Sequence, residues 1–315
     1  MLKRLLFYLF ILATPAGFSQ KYTIVIHGGA GNISTSMPEN LQQAYMATLD
    51  SALIIGAGIM NNNGSVLDVV EKVIAYFEDC PLYNAGRGAV FTYDGKNELD
   101  ASIMDGSKLM AGAVAGVSRI RHPISAARKV METSPHVMLS GEGADDFARE
   151  QGLEMVDNSY FSTPRRFEQF EKAKEKYLHD KMGTVGCVVY DGKGNLAAGT
   201  STGGMTLKRW GRIGDSPIIG AGTYADNQSC AVSCTGHGEY FIRLGVARDV
   251  AARMKYQNIS LEKAAREVMQ ALSQMGGTGG FVAVDHQGQP VMLFNTTGMF
   301  RGYIKGSGEK EVSIF

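Results

Sequence analysis

The chain changes character abruptly between Gly183 and Thr184. Residues 157–182 are polar and charged, with no clear core periodicity, whereas Val185, Cys187 and Val189 alternate with Gly186, Val188 and Tyr190. Asp191-Gly192-Lys193-Gly194-Asn195 reads as a tight turn and Leu196 to Thr200 as a returning strand, so the segment is expected to form a hairpin of buried strands. A threonine thus opens a core strand behind a stretch that has no obvious face to pack. Gly183 before it leaves room for a neighbouring group to reach its carbonyl and tolerates a strained backbone. For an isolated Gly-Thr pair an ordinary strand start is the commoner meaning, so the rest of the chain must carry any further reading.

Equal numbers of basic and acidic residues, 31 of each, leave no net charge and argue against nucleic acid or an anionic membrane as the main partner. A small-molecule partner is expected instead. Lys3 and Arg4 precede an apolar run from Leu5 to Ala13, followed by the small residues of Ala16-Gly17-Phe18-Ser19. This pattern reads as a signal peptide over 1–19, cleaved after Ser19. The mature protein is then expected to be exported, periplasmic or secreted, with no attachment to the membrane once the leader is removed. Cys187, Cys230 and Cys234 lie in apolar, strand-like surroundings that favour buried thiols, and neither the cysteines nor the histidines show zinc-site spacing.

In order, Tyr22 to His27 is a short strand ending in His27-Gly28-Gly29-Ala30-Gly31, a glycine run that brings backbone close to something but lacks a phosphate-loop ending. Glu39 to Met60 reads as a helix, and Ser65 as the N-cap of a second helix with Asp68 three residues on. Ala89 to Tyr93 and Glu98 to Met104 flank Asp94-Gly95-Lys96-Asn97 as an expected hairpin. Gly112 to Ile120 is a strand, and Pro123 opens a helix. His136 to Leu139 is a short strand and Glu142 to Gln151 a helix. Beyond the central hairpin, Ile218 to Gly222 and Cys230 to Cys234 read as strands, Glu239 to Tyr256 and Ser260 to Gln274 as helices, and Phe281 to Asp285 with Val291 to Phe294 as a last hairpin. Recurrent hairpin signals make much of the sheet antiparallel. The fold class is α+β, a four-layer αββα sandwich in which both halves, residues 20–315, form one domain.

The motifs say more than the periodicity. Residues from about Tyr22 to Arg301 carry His27-Gly-Gly-Ala-Gly31, Asn84-Ala-Gly86, Glu98-Leu-Asp-Ala-Ser-Ile-Met-Asp-Gly106, Gly183-Thr-Val-Gly186, Thr200-Ser-Thr-Gly-Gly204, Gly211-Arg-Ile-Gly-Asp-Ser-Pro217 and Thr235-Gly-His-Gly-Glu239. Each is weak alone. Together and in this order they resemble the plant-type asparaginase and isoaspartyl peptidase family of N-terminal nucleophile hydrolases.

The chemistry that such a reaction demands fits these residues. A threonine hydroxyl is a poor nucleophile, but a free α-amine with a pKa of about 8 can take its proton. That amine exists only after the bond between Gly183 and Thr184 is cut, and the same hydroxyl can make that cut by attacking the Gly183 carbonyl. The expected products are an α fragment, 20–183, and a β fragment, 184–315. The resemblance further implies that Thr202 supports the Thr184 nucleophile. Arg212 and Asp215, in the loop with Ile213 and Gly214, would hold the substrate α-carboxylate and α-ammonium. The Thr235 hydroxyl and Gly236 amide would form the oxyanion hole, the Gly238 carbonyl would contact the substrate amine, and Asn84 would orient nucleophile or substrate. It also implies a structural sodium ion on the carbonyls of Phe77, Glu78, Cys80, Tyr83, Ala85 and Arg87, no required cofactor, and a dimer of α/β heterodimers.

The expected activity is hydrolysis of L-asparagine and of dipeptides with an N-terminal isoaspartyl residue. His237 follows the oxyanion glycine in an order that also resembles glycosylasparaginases, as a wall of the pocket or a packed histidine. Those relatives show His-Asp where this chain has Met182-Gly183, and lack the His27 to Gly31 opening. Trp210, beside the Arg212 loop, is a candidate to shape the leaving-group side. A non-catalytic amino-acid-binding protein using the Arg212 and Asp215 clamp is the alternative from another class.

Overall fold

The structure, a computed structural model, describes residues 22–176 and 183–315. The proposed leader and the last residues before Gly183 lie outside them. Strand β1 (Thr23–Gly31) leads into helices α1 (Glu39–Asn61) and α2 (Val66–Asp79). Ser65 closes the expected capping box: its hydroxyl accepts from the Asp68 amide at 3.1 Å, and the Asp68 carboxylate accepts from the Ser65 amide at 3.0 Å. Then come β2 (Leu99–Asp105), β3 (Met110–Val117), α3 (Pro123–Thr133), β4 (Met138–Ser140), α4 (Gly141–Glu150) and α5 (Pro164–Lys176). The second half supplies β5 (Val185–Tyr190), β6 (Leu196–Thr202), β7 (Thr223–Ala225), β8 (Cys230–Gly236), α6 (Gly238–Leu244), α7 (Val246–Gln257) and α8 (Leu261–Gln274). It closes with β9 (Gly279–Asp285), β10 (Pro290–Phe294), β11 (Gly298–Lys305) and β12 (Lys310–Ser313).

The strands form one sheet in the order β12-β11-β1-β5-β6-β2-β3-β4 and a smaller one in the order β10-β9-β8-β7. All pairings are antiparallel except β3 with β4. Alternation along a strand sends successive side chains to opposite faces. Ile24 and Ile26 with Val185, Cys187 and Val189 therefore join Leu49, Val70 and Phe77 of α1 and α2 in one core. Val25, Val188 and Ala198 point the other way, into a second core with Val232 and Val282 of the small sheet and residues of α7 and α8. The central hairpin is buried on both faces, which accounts for its near-continuous apolar character.

Several expectations need correction. Residues 89–93 make no ladder with Glu98 to Met104; β2 pairs with β3 and β6 instead. The buried Asn97 amide donates to the Ala89 and Val90 carbonyls, Val90 N–H donates to Asn84 Oδ1, and Phe91 and Tyr93 bond to the backbone of Leu207 and Lys208, so groups outside any ladder satisfy this segment. Residues 218–222 are a turn whose amides bond back to Asp215 and Ile218, leaving only the short β7. The helix expected over Glu239 to Tyr256 breaks at Gly245, where φ is +65°. The polar stretch before Thr184 contains α5, whose Phe170 and Ala173 pack with Phe91 and Leu207. Finally, β11 and β12 extend the large sheet beyond β1, a pairing that no local signal announced.

Candidate active site

The β5–β6 register sets the site. Val185 pairs with Ser201, which brings Thr184 opposite Thr202. The Thr184 hydroxyl, nearly buried, donates to Thr202 Oγ1 at 3.1 Å, and Thr202 Oγ1 also accepts from the Gly204 amide at 3.0 Å. An acceptor is thus fixed beside the nucleophile candidate by the turn that follows its own strand.

A bulge between His27 and Gly29 in β1 turns the glycine run towards the junction. Gly183 sits at φ +56°, in the left-handed region that favours glycine. On the other side, the Ala30 amide donates to Thr235 Oγ1 at 3.2 Å. Gly236 follows at φ +149°, and a Cβ there would stand 2.5 Å from the Thr278 carbonyl. A cavity opens between these pieces, lined by Ala30, Gly183, Thr184, Thr202, Arg212, Gly214, Asp215 and Gly236 among others.

The two charged residues of the loop reach this cavity in different states. Asp215 is buried and its Oδ2 has no hydrogen-bond partner. Burial raises its pKa to about 7, against the opposing pull of Arg212. An unpaired buried carboxylate oxygen in a cavity wall suits a cation that arrives later. Arg212 already presents Nε and Nη2 to Glu239, at 2.9 and 3.0 Å. Glu239 was not singled out by sequence reasoning, although it closes the last motif. Gly238 is packed against both: a Cβ there would lie 2.8 Å from Asp215 Oδ1 and 2.9 Å from Arg212 Nη2.

Other expected residues fall outside the cavity wall. His237 packs against Tyr240, with ring centroids 4.7 Å apart and planes tilted by 60°, and approaches Glu239 Oε2 at 3.3 Å, so it braces the partner of Arg212. The Ile213 side chain is partly exposed. Trp210 is 95% exposed, with the Arg209 guanidinium 5.9 Å from its ring. Asn84 donates to the Gly204 carbonyl at 2.8 Å, and its own carbonyl accepts from Gly203 at 3.0 Å. It therefore holds the turn behind Thr202.

Three buried groups were missed. Asp100 pairs in register with Thr202, Lys208 donates to the Glu98 carbonyl at 3.0 Å, and His27 bonds the Thr184 carbonyl at 3.0 Å. Asp100 and His27 stand in the motifs and Lys208 in none of them, and nothing local distinguishes a buried polar group from a solvated one. Burial pushes the Cys187, Cys230 and Cys234 thiols up, which leaves them unsuited to nucleophilic work.

The loop after α2 folds tightly around two of its glycines. The Glu78 carbonyl oxygen would stand 2.2 Å from a Cβ on Gly86, and those of Tyr83 and Pro81 would stand 2.1 and 2.8 Å from one on Gly88. Only glycine fits at either position. No cluster of three or more His, Cys, Asp or Glu suited to a metal occurs among the described residues.

Comparison with known sequences bears directly on this arrangement. The sequence pattern of the asparaginase family matches residues 20–314. The chain is similar to an isoaspartyl peptidase of Salmonella typhimurium, 51% identical over 297 residues that cover 90% of this chain and 95% of the relative. An isoaspartyl peptidase of Escherichia coli is 50% identical, covering 90% of this chain and 92% of that one. A plant-type L-asparaginase of Pyrococcus horikoshii is 40% identical, covering 92% and 99%.

Proposed function

This chain belongs to the asparaginase family, and from that premise we propose that it is an isoaspartyl peptidase and L-asparaginase that activates itself by cutting before Thr184. The observation that carries the reading is the Thr184 hydroxyl on Thr202 Oγ1, in a cavity also lined by Arg212 and by Asp215, whose Oδ2 is unpaired.

In activation, Thr184 Oγ attacks the Gly183 carbonyl carbon and the peptide nitrogen leaves as the Thr184 α-amine. Water then opens the resulting ester, releasing the Gly183 carboxylate. In turnover, the α-amine takes the hydroxyl proton and Oγ attacks the side-chain carbonyl of asparagine or of an isoaspartyl peptide. The developing oxyanion is received by the Thr235 hydroxyl and the Gly236 amide. The leaving amine departs with the proton, and water hydrolyses the aspartyl ester.

Asp215 would hold the substrate ammonium. Arg212 would hold its carboxylate, with the guanidinium that Glu239 orients. The Gly238 carbonyl, and Asn84 through its hold on the turn behind Thr202, would complete the site. A sodium ion on the carbonyls of the loop from Phe77 to Arg87 would stiffen the segment that carries Asn84.

The packing of α1, α2 and α3 on the large sheet, and of α7 and α8 on the small one, supports a four-layer αββα sandwich in one domain over 20–315. The basic, apolar and small-residue pattern of 1–19, outside the family match, supports a leader and an exported enzyme. A dimer of α/β heterodimers is the proposed assembly.

Intact mass of the purified protein tests the cut, with two fragments expected and Thr184→Ala expected to stay whole and inactive. Asparagine, isoaspartyl-leucine and a sugar-linked asparagine, assayed in parallel, separate this activity from glycosylasparaginase. An unbroken, active chain would overturn the mechanism.

A further inference from the structure

A run of buried hydroxyls starts at the carbonyl of Thr184 and has no part in the chemistry above. His27 Nδ1 is 3.0 Å from the Thr184 carbonyl, and His27 Nε2 is 2.9 Å from Ser233 Oγ. Ser233 Oγ is 2.7 Å from Thr200 Oγ1, and Thr223 donates to Thr200 Oγ1 at 2.6 Å. Ser102 lies 2.8 Å from Thr223 Oγ1 and 2.6 Å from the Ser216 carbonyl, next to Asp215. His27, Ser102, Thr200, Thr223 and Ser233 have no exposed surface. The groups come from β1, β8, β6, β7 and β2, so the run crosses between the two sheets. Gly186 makes room for it: a Cβ there would stand 2.0 Å from Ser233 Oγ and 2.2 Å from His27 Nε2.

The directions of these bonds follow from what each group can do. A carbonyl only accepts, so His27 Nδ1 carries the proton. Full burial, despite the opposing hydrogen bond to the Thr184 carbonyl, lowers the His27 pKa to about 3, so the ring is neutral and Nε2 is an acceptor. Ser233 must then donate to Nε2, which leaves its oxygen to accept from Thr200. Thr200 has spent its proton and accepts from Thr223, whose oxygen accepts a share of the Ser102 proton. The opposite polarity would set a bare Nδ1 lone pair against the Thr184 carbonyl oxygen at 3.0 Å, which is repulsive.

We infer that His27 is a positioning residue for Thr184, and that the hydroxyl run Ser102–Thr223–Thr200–Ser233 locks it in the Nδ1–H tautomer. Resting on the reading of Thr184 as nucleophile, this fixes the main chain of the residue whose amine and hydroxyl must face one substrate. It also ties that residue to Ser216, beside the ammonium-binding Asp215. A fully satisfied buried network of this kind specifies one geometry, because any partner lost is an unpaired polar group in the core.

The test uses the full chain with 15N-labelled histidine, and two pairs of variants. In Thr184→Ala, which stays uncut whatever its activity, imidazole 15N shifts are expected to show neutral Nδ1–H His27. Ser233→Ala in that background is expected to show a mixture of tautomers. In the active enzyme, Ser233→Ala and Thr200→Val are expected to lose on the order of tenfold in kcat, with KM within about twofold, whereas Thr200→Ser keeps the hydroxyl and most of the rate. Melting curves identify a variant that has lost its fold, for which the tautomer measured in Thr184→Ala alone decides. An Nε2–H or charged His27, or a Ser233→Ala enzyme with unchanged kcat and a single tautomer, would overturn the inference. An active Thr184→Ala would instead overturn the nucleophile itself.

Discussion

Gly29 lies so close to Gly183 that a Cβ on it would stand 2.4 Å from the Gly183 Cα and 3.2 Å from the Thr184 nitrogen. Its own φ of +112° is one that only glycine adopts readily. The glycine run at the end of β1 therefore forms the wall against which the bond before Thr184 is held. Gly29→Ala is expected to displace that bond and leave the chain uncut on a denaturing gel, with the helix and strand content of the parent by circular dichroism. Processing at the parent rate would show that the contact is not needed.

Thr235 is fixed by the Ala30 amide at 3.2 Å, with its hydroxyl hydrogen left for a ligand. Thr235→Val keeps the shape and removes the donor. Among processed molecules, kcat is expected to fall on the order of 100- to 1000-fold, the range typical of one lost oxyanion donor. A fall of less than about fivefold in single-turnover rate would remove Thr235 from that role.

If Asp215 holds the substrate ammonium as proposed, it trades stability against binding. Burial holds its pKa at about 7, above the ordinary 3.8, so the folded chain binds this proton more tightly than the unfolded one. Its contribution to stability is complete below the ordinary value and falls as pH rises towards 7. Asp215→Asn is accordingly expected to melt higher than the parent at about pH 8, the difference vanishing below about pH 4, while losing substrate affinity. In the parent, KM for asparagine is expected to rise as pH falls through about 7, since a protonated Asp215 no longer attracts an ammonium. A KM flat from about pH 5.5 to 8 would refute this.

Arg212 meets Glu239 with its Nε and Nη2 edge, at 2.9 and 3.0 Å. A planar fork suits a carboxylate from either Glu239 or a substrate, and lysine cannot reproduce it. Arg212→Lys is expected to raise KM for asparagine on the order of 10- to 100-fold, the loss of a charge-assisted bond, with a smaller change in kcat. Steady-state kinetics decide it, and a KM within about twofold of the parent would exclude carboxylate binding by Arg212.

His27 works in the opposite sense to Asp215. Its pKa is held at about 3, below the ordinary 6.5, so the unfolded chain takes up this proton first. Stability from His27 is complete above the ordinary value and is lost as pH falls from about 6.5 towards 3. Thermal melts of the parent are expected to drop over that window, and His27→Gln to drop less steeply from a lower starting point. Parallel curves would mean that another group governs the acid limb.

Local signals were read correctly wherever one short segment settles its own structure. Ser65 and Asp68 form their capping box, and Pro123 opens α3, because caps need only neighbours along the chain. The central hairpin was legible from its alternation. Strand β11 was not, since Arg301 and Gly302 interrupt its apolar pattern and its partner β1 lies at the other end of the sequence. Residues 89–93 form no strand because their main-chain bonds go to the Asn84 and Asn97 side chains and to the backbone of Gly86, Lys96, Leu207 and Lys208, which period-two alternation does not register. In the site, hydroxyls, glycines and the Arg212–Asp215 loop were legible as a motif set. Glu239 as the partner of Arg212, and His27 on the Thr184 carbonyl, were not.

The order of residues by itself determined which groups are available: a threonine after glycine, hydroxyls at Thr202 and Thr235, and glycines where backbone must approach backbone. It also determined the family, since motifs in a fixed order survive any rearrangement of the surface. Only the tertiary structure decided what each group faces. Whether a carboxylate is paired or orphaned, and which imidazole nitrogen holds the proton, depends on burial and on partners from other strands. Those are properties of packing, and no spacing along the chain encodes them.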